Sequence, residues 1–117
     1  MSQSLKKKRI SAYKAQNGCC YYCGFPMWLD DPDEIGHESQ ISRRALHKIR
    51  CTAEHLHPRA DGGSDSRSNI VAACLHCNRT RHRRKRPPEP PRYREIVQGR
   101  IRANSWHDSQ IRELVKV

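Results

Sequence analysis

The stretch Cys51-Thr-Ala-Glu-His-Leu-His-Pro-Arg-Ala-Asp-Gly-Gly63 is the one around which the chain is organised. Glu54 and His55 set a carboxylate beside an imidazole, a pair able to hold a metal and activate water. The residues from Cys51 to His57 alternate in character and end at Pro58, which predicts a strand. Asp61-Gly62-Gly63-Ser64 follows as a loop whose glycines tolerate positive φ. Ile70-Val71-Ala72-Ala73 is a short apolar run suited to pairing back as a second strand. A helix is expected to start near Cys74 or Leu75 and run through Asn78 and His82 into Arg79-Thr-Arg-His-Arg-Arg-Lys-Arg86, stopping before Pro87-Pro88. The local order is therefore strand, Gly-bearing loop, strand, helix.

On either side of this unit stand two C-x2-C knuckles, Cys20-Tyr-Tyr-Cys23 and Cys74-Leu-His-Cys77. Four thiolates are the usual closed set of a structural zinc site, and two intervening residues let both sulfurs of a knuckle face one tetrahedral ion. The alternative is reduced, buried cysteines that act only as small apolar residues. Cys19 and Cys51 are left over and read as free thiols. With 117 residues, of which 35% are hydrophobic, the chain makes one domain with little material for a core, and a metal staple suits it. The N-terminal residues lack the apolar segment of a signal peptide, and no apolar run is long enough to span a bilayer. The expectation is a cytoplasmic protein, whose cysteines stay reduced and serve metal binding rather than disulfides.

Twenty-three Lys and Arg against 12 Asp and Glu give a net charge of +11, so the surface attracts polyanions. Nucleic acid is the expected partner. A membrane surface is the rival, but residues 79–86 are basic on every face and lack an apolar stripe.

The flanks are simpler. Residues 4–16 predict a short helix closed by Asn17-Gly18, with the run Lys6-Lys7-Lys8-Arg9 read chiefly as a solvated face. Phe25-Pro-Met-Trp-Leu29 reads as core, and residues 30–37 as an acidic surface loop in which His37 is a solvated histidine. Ile41, Ala45, Leu46 and Ile49 predict an amphipathic helix across residues 39–49. Pro87, Pro88, Pro90 and Pro91 predict a stiff linker over 87–91. Tyr93, Ile96, Val97 and Ile101, then Trp106, Ile111, Leu114 and Val115, predict two short helices or one bent helix in a tail, 92–117, packed on the domain.

Phosphodiester cleavage needs a base for water, a cation to stabilise the leaving oxygen and donors around the phosphate. His55 suits the base, since an imidazole accepts a proton near neutral pH. Glu54 offers a hard oxygen to Mg2+ or Mn2+.

With these residues in view, the ordered set Glu54-His55-x-x-Pro58, Gly62-Gly63, Asn69-Ile70 and Cys74-x-x-Cys77-Asn78 resembles the HNH endonucleases, over the region from Cys20 to Arg86. The resemblance implies an α+β, ββα-metal fold, with a domain over residues 1–86 whose motif core spans 19–86. In the zinc-bearing branch of that family the two knuckles hold hairpin and helix together, here through Cys20, Cys23, Cys74 and Cys77. It further implies that His55 is the general base, that Asn69 orients it, and that Glu54 is a ligand of a catalytic divalent ion such as Mg2+, Mn2+ or Ni2+. Asn78 occupies the last motif position as second ligand, with His82, four residues on along the same helix face, as its rival. His57 is expected to flank the site. Arg79, Arg81, Arg83, Arg84, Lys85 and Arg86 are expected to contact phosphates of DNA, double-stranded above all. The resulting expectation is a prokaryotic or phage-encoded DNA endonuclease, monomer or weak dimer, alone or within phage or restriction machinery. The alternatives are a non-catalytic zinc module that binds nucleic acid and a zinc-stapled protein-interaction domain.

Overall fold

A computed structural model describes residues 3–36 and 40–115. Helix α1 spans Leu5–Ala15, α2 Asp33–Gly36 and α3 Arg43–Lys48; strand β1 spans Cys51–His55 and β2 Ile70–Cys74; α4 spans Leu75–His82, α5 Pro90–Arg102 and α6 Ser109–Arg112. The two strands form one antiparallel pair, in register from Cys51 opposite Cys74 to His55 opposite Ile70. With α4 following β2 directly, the centre of the molecule is a ββα unit in an α+β chain. His37 lies outside the described residues. Among the described residues, no helix is long and apolar enough to cross a membrane.

The connection between the strands is shaped by its glycines and closed by backbone pairing. A 3-10 turn at Arg59–Asp61 ends on Gly62, whose φ of 92° favours glycine. Gly63 then passes so near the chain that a Cβ there would stand 1.8 Å from the His57 carbonyl oxygen. The Leu56 N–H donates to the Asn69 carbonyl at 2.9 Å and joins the two ends of the loop. The strand stops at His55, short of the expected His57, because Leu56 pairs with Asn69 and the chain then bends toward Pro58.

Each flank covers one side of this unit. On α1, capped by Ser4, Gln16 reaches the outer edge of β2: its amide accepts from the Ala72 N–H at 2.9 Å and donates to the Ala72 carbonyl at 2.8 Å. A side-chain amide thereby pairs backbone groups that an open sheet edge leaves exposed. The segment with Phe25, Met27 and Trp28 is buried as expected, and Trp28 Nε1 donates to the Leu46 carbonyl on α3 at 2.6 Å. At the other end Tyr93, Val97 and Ile111 bury against the core, and Tyr93 Oη donates to the Cys77 carbonyl at 2.6 Å.

Three expected boundaries shift. Helix α4 ends at His82, not Arg86: four consecutive cations at residues 83–86 repel along a helix, and Pro87 disfavours helical backbone just before it. Pro90 and Pro91 open α5 instead of extending the linker, since a first helical turn needs no N–H donors. Helix α3 begins only at Arg43, where the Ser42 side chain accepts from the Ala45 N–H.

Candidate active site and metal position

The four knuckle cysteines meet beneath the ββα unit. Their sulfurs all lie within 4.8 Å of one another, all four residues are buried, and Cys23 Sγ is 3.9 Å from Cys74 Sγ. Sulfurs bound at about 2.3 Å to one tetrahedral ion stand about 3.8 Å apart, whereas a disulfide needs about 2.05 Å. The surroundings suit thiolates. The N–H groups of Tyr22 and Cys74 donate to Cys20 Sγ, Phe25 to Cys23 Sγ, Cys77 to Cys74 Sγ, and Trp106 Nε1 to Cys77 Sγ at 3.3 Å. The set is placed to hold a metal ion and its chemistry is consistent with zinc. Cys19 and Cys51 stand outside this set. Burial pushes the Cys51 thiol up to about 11, so it stays neutral. His76, inside the second knuckle, is half-buried with its ring 4.7 Å from that of Trp106.

Above the cysteines, Glu54 is 1% exposed, and its carboxylate is held from three directions. Oε2 accepts from Tyr22 Oη at 2.9 Å and from Arg81 Nη1 at 3.1 Å, while Oε1 faces His82 Nε2 at 2.8 Å. Burial beside this carboxylate raises the Tyr22 phenol well above its usual range, so it remains a donor. Arg81 is also 1% exposed and donates to the carbonyls of His55, Leu56 and Pro88. A buried carboxylate is tolerated only when neutralised and hydrogen-bonded, and Arg81 does both. Arg81 therefore leaves the set expected to meet phosphate: its guanidinium is enclosed and committed to Glu54 and three carbonyls. Arg79, Arg83, Arg84, Lys85 and Arg86 are exposed.

His55, at the end of β1, has a side chain 14% exposed. Its Nε2 lies 2.7 Å from Asp65 Oδ1, and Arg59 donates to both oxygens of that carboxylate, with Nη2 2.7 Å from Oδ2. The His55 imidazole, then the Arg59 guanidinium, hold the Asp65 carboxyl below its usual range. A carboxylate on Nε2 selects the tautomer protonated there and leaves Nδ1 with a lone pair. Asn69 does not touch the imidazole. Its Oδ1 accepts from the His57 N–H, and its Nδ2 donates to the carbonyls of His57 and Ser64. The amide thus fastens the loop that carries Asp65 against the end of β1, and any orienting of His55 by Asn69 passes through that loop. His57 is exposed and its ring pairs with the Asp61 carbonyl.

Asn78 and His82 stand one turn apart on α4 and line, with Glu54, His55 and Arg59, an open cleft of about 300 Å3. Asn78 Nδ2 donates to Thr52 Oγ1 and the Ala53 carbonyl, so its Oδ1 is the acceptor left over. Two ligand atoms at about 2.1 Å from an octahedral ion, at right angles, stand about 3 Å apart. The 2.8 Å between Glu54 Oε1 and His82 Nε2 meets that spacing, and two oxygens with one imidazole suit Mg2+, Mn2+ or Ni2+.

Asp65, Arg59 and Tyr22 were not legible as site residues. Asp65 follows a Gly-Gly turn, where an acidic residue is ordinary loop chemistry, and the sole clue is an Arg and an Asp facing each other across that turn. Tyr22 lies inside a knuckle, where only its neighbours' ligand role draws notice.

A family model described as HNH endonuclease matches residues 42–84. Comparison with curated proteins and with solved structures yields no match. The matched segment contains α3, β1, the Gly-Gly loop, β2 and α4, and its second knuckle completes the four-cysteine cluster. Across residues 42–84, then, the chain is similar to the HNH endonuclease family, and it carries four buried cysteines positioned to bind a metal ion.

Proposed function

We propose that the chain is a metal-dependent endonuclease that hydrolyses phosphodiester bonds of DNA, double-stranded DNA above all, leaving by resemblance a 5′-phosphate and a 3′-hydroxyl. The observation that carries this reading is the His55 imidazole, held 2.7 Å from the Asp65 carboxylate and lining the same cleft as Glu54, Asn78 and His82. In this reading His55 Nδ1 takes the proton of an attacking water. The water oxygen bonds to phosphorus as the bond to the 3′-oxygen breaks, and that oxygen takes a proton from solvent. Asp65 stabilises the imidazolium that forms, and Arg59 fixes the carboxylate of Asp65. Glu54 Oε1, Asn78 Oδ1 and His82 Nε2 are the atoms assigned to a divalent ion, which when bound supplies positive charge at the leaving oxygen. Asn78 and His82 act together in this assignment, not as rivals, because the i, i+4 spacing turns both toward Glu54. The exposed cations Arg79, Arg83, Arg84, Lys85 and Arg86 receive flanking phosphates. The four cysteines hold zinc that staples the ββα unit to the first knuckle.

The non-catalytic reading rests on one observation: Glu54 is already neutralised by Arg81 without any ion. Plasmid nicking with added Mg2+, Mn2+ or Ni2+ decides between the two. Wild type is expected to nick. His55→Ala should lose about 10²–10⁴-fold in rate, the usual range for a general base, with zinc content and DNA affinity retained. Equal cleavage by the variant removes His55 from the mechanism, and no cleavage by either protein with any of the three metals favours a nucleic-acid-binding module.

A further inference from the structure

The basic run on α1 does not behave as one solvated face. Lys7 is exposed, whereas Lys8 is 8% exposed and its ammonium donates to the Asp65 carbonyl, bracing the loop that holds His55. Lys6 and Arg9, three residues apart and so on one side of the helix, turn toward a cavity of about 420 Å3 between α1 and β1, and Arg50 enters the same cavity from the residue before β1.

The charge lining this cavity is of one sign. Three cations line it and no carboxylate does. Among the described residues Lys6, Arg9 and Arg50 have no ion pair, although Asp and Glu partners serve Lys48, Arg59, Arg81 and Arg92 elsewhere. The Nε atoms of both Arg9 and Arg50 are shut off from solvent and have no hydrogen-bond partner. Two buried guanidinium donors arriving from separate elements at one concave surface lack an acceptor, and an unmet buried donor is costly. Guanidinium forks match the oxygens of a phosphate, and an ammonium adds a third, more mobile contact.

The position narrows the ligand. Ala53 lines this cavity and also the cleft of Glu54, His55, Asn78 and His82, so the two lie side by side along β1. We propose that Lys6, Arg9 and Arg50 form a phosphate subsite that grips a backbone phosphate of a nucleic-acid strand, next to the phosphodiester presented to His55. The assignment of the strand rests on the nuclease reading; the anion site itself does not.

The test uses the full chain carrying His55→Ala, so that binding is read without cleavage. A labelled DNA duplex is titrated by anisotropy at several salt concentrations. Arg9→Gln and Arg50→Gln are each expected to weaken binding by about fivefold or more, and to reduce the slope of log affinity against log salt by about one, as for the loss of one phosphate contact. Arg92→Gln, which removes the same charge from the exposed face of α5, is expected to change affinity by less than about twofold. Equal effects from all three substitutions would reduce the cavity to general surface charge and overturn the proposal. An NMR titration needs no cavity substitution beyond Arg→Lys for assignment: the Arg9 and Arg50 Nε–H resonances should shift on adding duplex. If inorganic phosphate shifts them and duplex does not, the site serves a free anion and the strand assignment fails. Should the wild type cut no DNA while the selective loss at Arg9 and Arg50 persists, the nuclease reading fails and the subsite stands.

Discussion

The cysteine cluster and the cleft above it both draw on the ββα unit, the cluster through Cys74 and Cys77 and the cleft through Glu54, His55, Asn78 and His82, yet they solve opposite problems. The cluster is dry: four buried sulfurs, satisfied by backbone N–H groups and the Trp106 indole, with Tyr93 and Trp106 of the C-terminal segment closing it from outside. The cleft is open, and its groups are charged and half-exposed, with only Glu54 and Arg81 fully enclosed behind it. The sulfurs of the first are locked in place, as a structural metal position needs. In the cleft, Asn78 Oδ1 and His55 Nδ1 keep lone pairs free, as the proposed reaction requires.

On that contrast, damage to the cluster should cost fold and damage to the cleft should cost chemistry. The largest effect is expected for Cys74→Ser, or for chelation. Structural zinc contributes apparent folding energies of about 10–16 kcal/mol in small domains whose total stability is roughly 5–15 kcal/mol, so the domain should lose its zinc and unfold. Metal analysis with circular dichroism reads this directly, and an unchanged melting temperature would remove the clamp from the account. Next comes Arg81→Met, which strands Glu54 as an uncompensated buried charge at a cost of about 3–5 kcal/mol. Urea unfolding should show it with zinc still bound, and a change under about 1 kcal/mol would mean that Glu54 does not depend on Arg81.

Asp65→Asn sharpens the other side of the comparison. Its carboxylate is half-exposed, so the melting temperature should stay nearly unchanged, while nicking should slow about 10–100-fold as His55 loses its orienting partner. A fully active variant would leave His55 positioned by the loop backbone alone. The smallest effect is expected for Lys85→Gln on the exposed run after α4: cleavage at low salt nearly unchanged, and the salt slope of binding lower by about one. A loss that persisted equally at every salt concentration would argue against a phosphate contact.

How far these features were legible differs by residue. Spacing alone identifies Cys20, Cys23, Cys74 and Cys77, because a C-x2-C turn brings two sulfurs to one side without help from the rest of the fold. Glu54, His55, Asn69 and Asn78 were legible only as an ordered set, since each alone is an ordinary strand, turn or helix residue. Arg81 was misread, because seven cations fall within residues 79–86 if His82 is counted, and no local pattern tells which one turns inward. Arg79, Arg83, Arg84, Lys85 and Arg86 stay exposed, whereas Arg81 and His82 reach the buried Glu54 carboxylate.

Sequence by itself therefore determined the two strands, the Gly-Gly loop between them, the start of α4 and the four sulfur ligands, all of which follow from short-range rules of periodicity, sterics and ligand spacing. Tertiary structure decided which charges are buried and which are free. It put Arg81 behind Glu54, Asp65 behind His55, and Arg9 beside Arg50 across a distance of 41 residues in the chain. The reason is that a charge takes its role from its dielectric and its partner, and both are set by elements far apart in sequence that only the folded chain brings together.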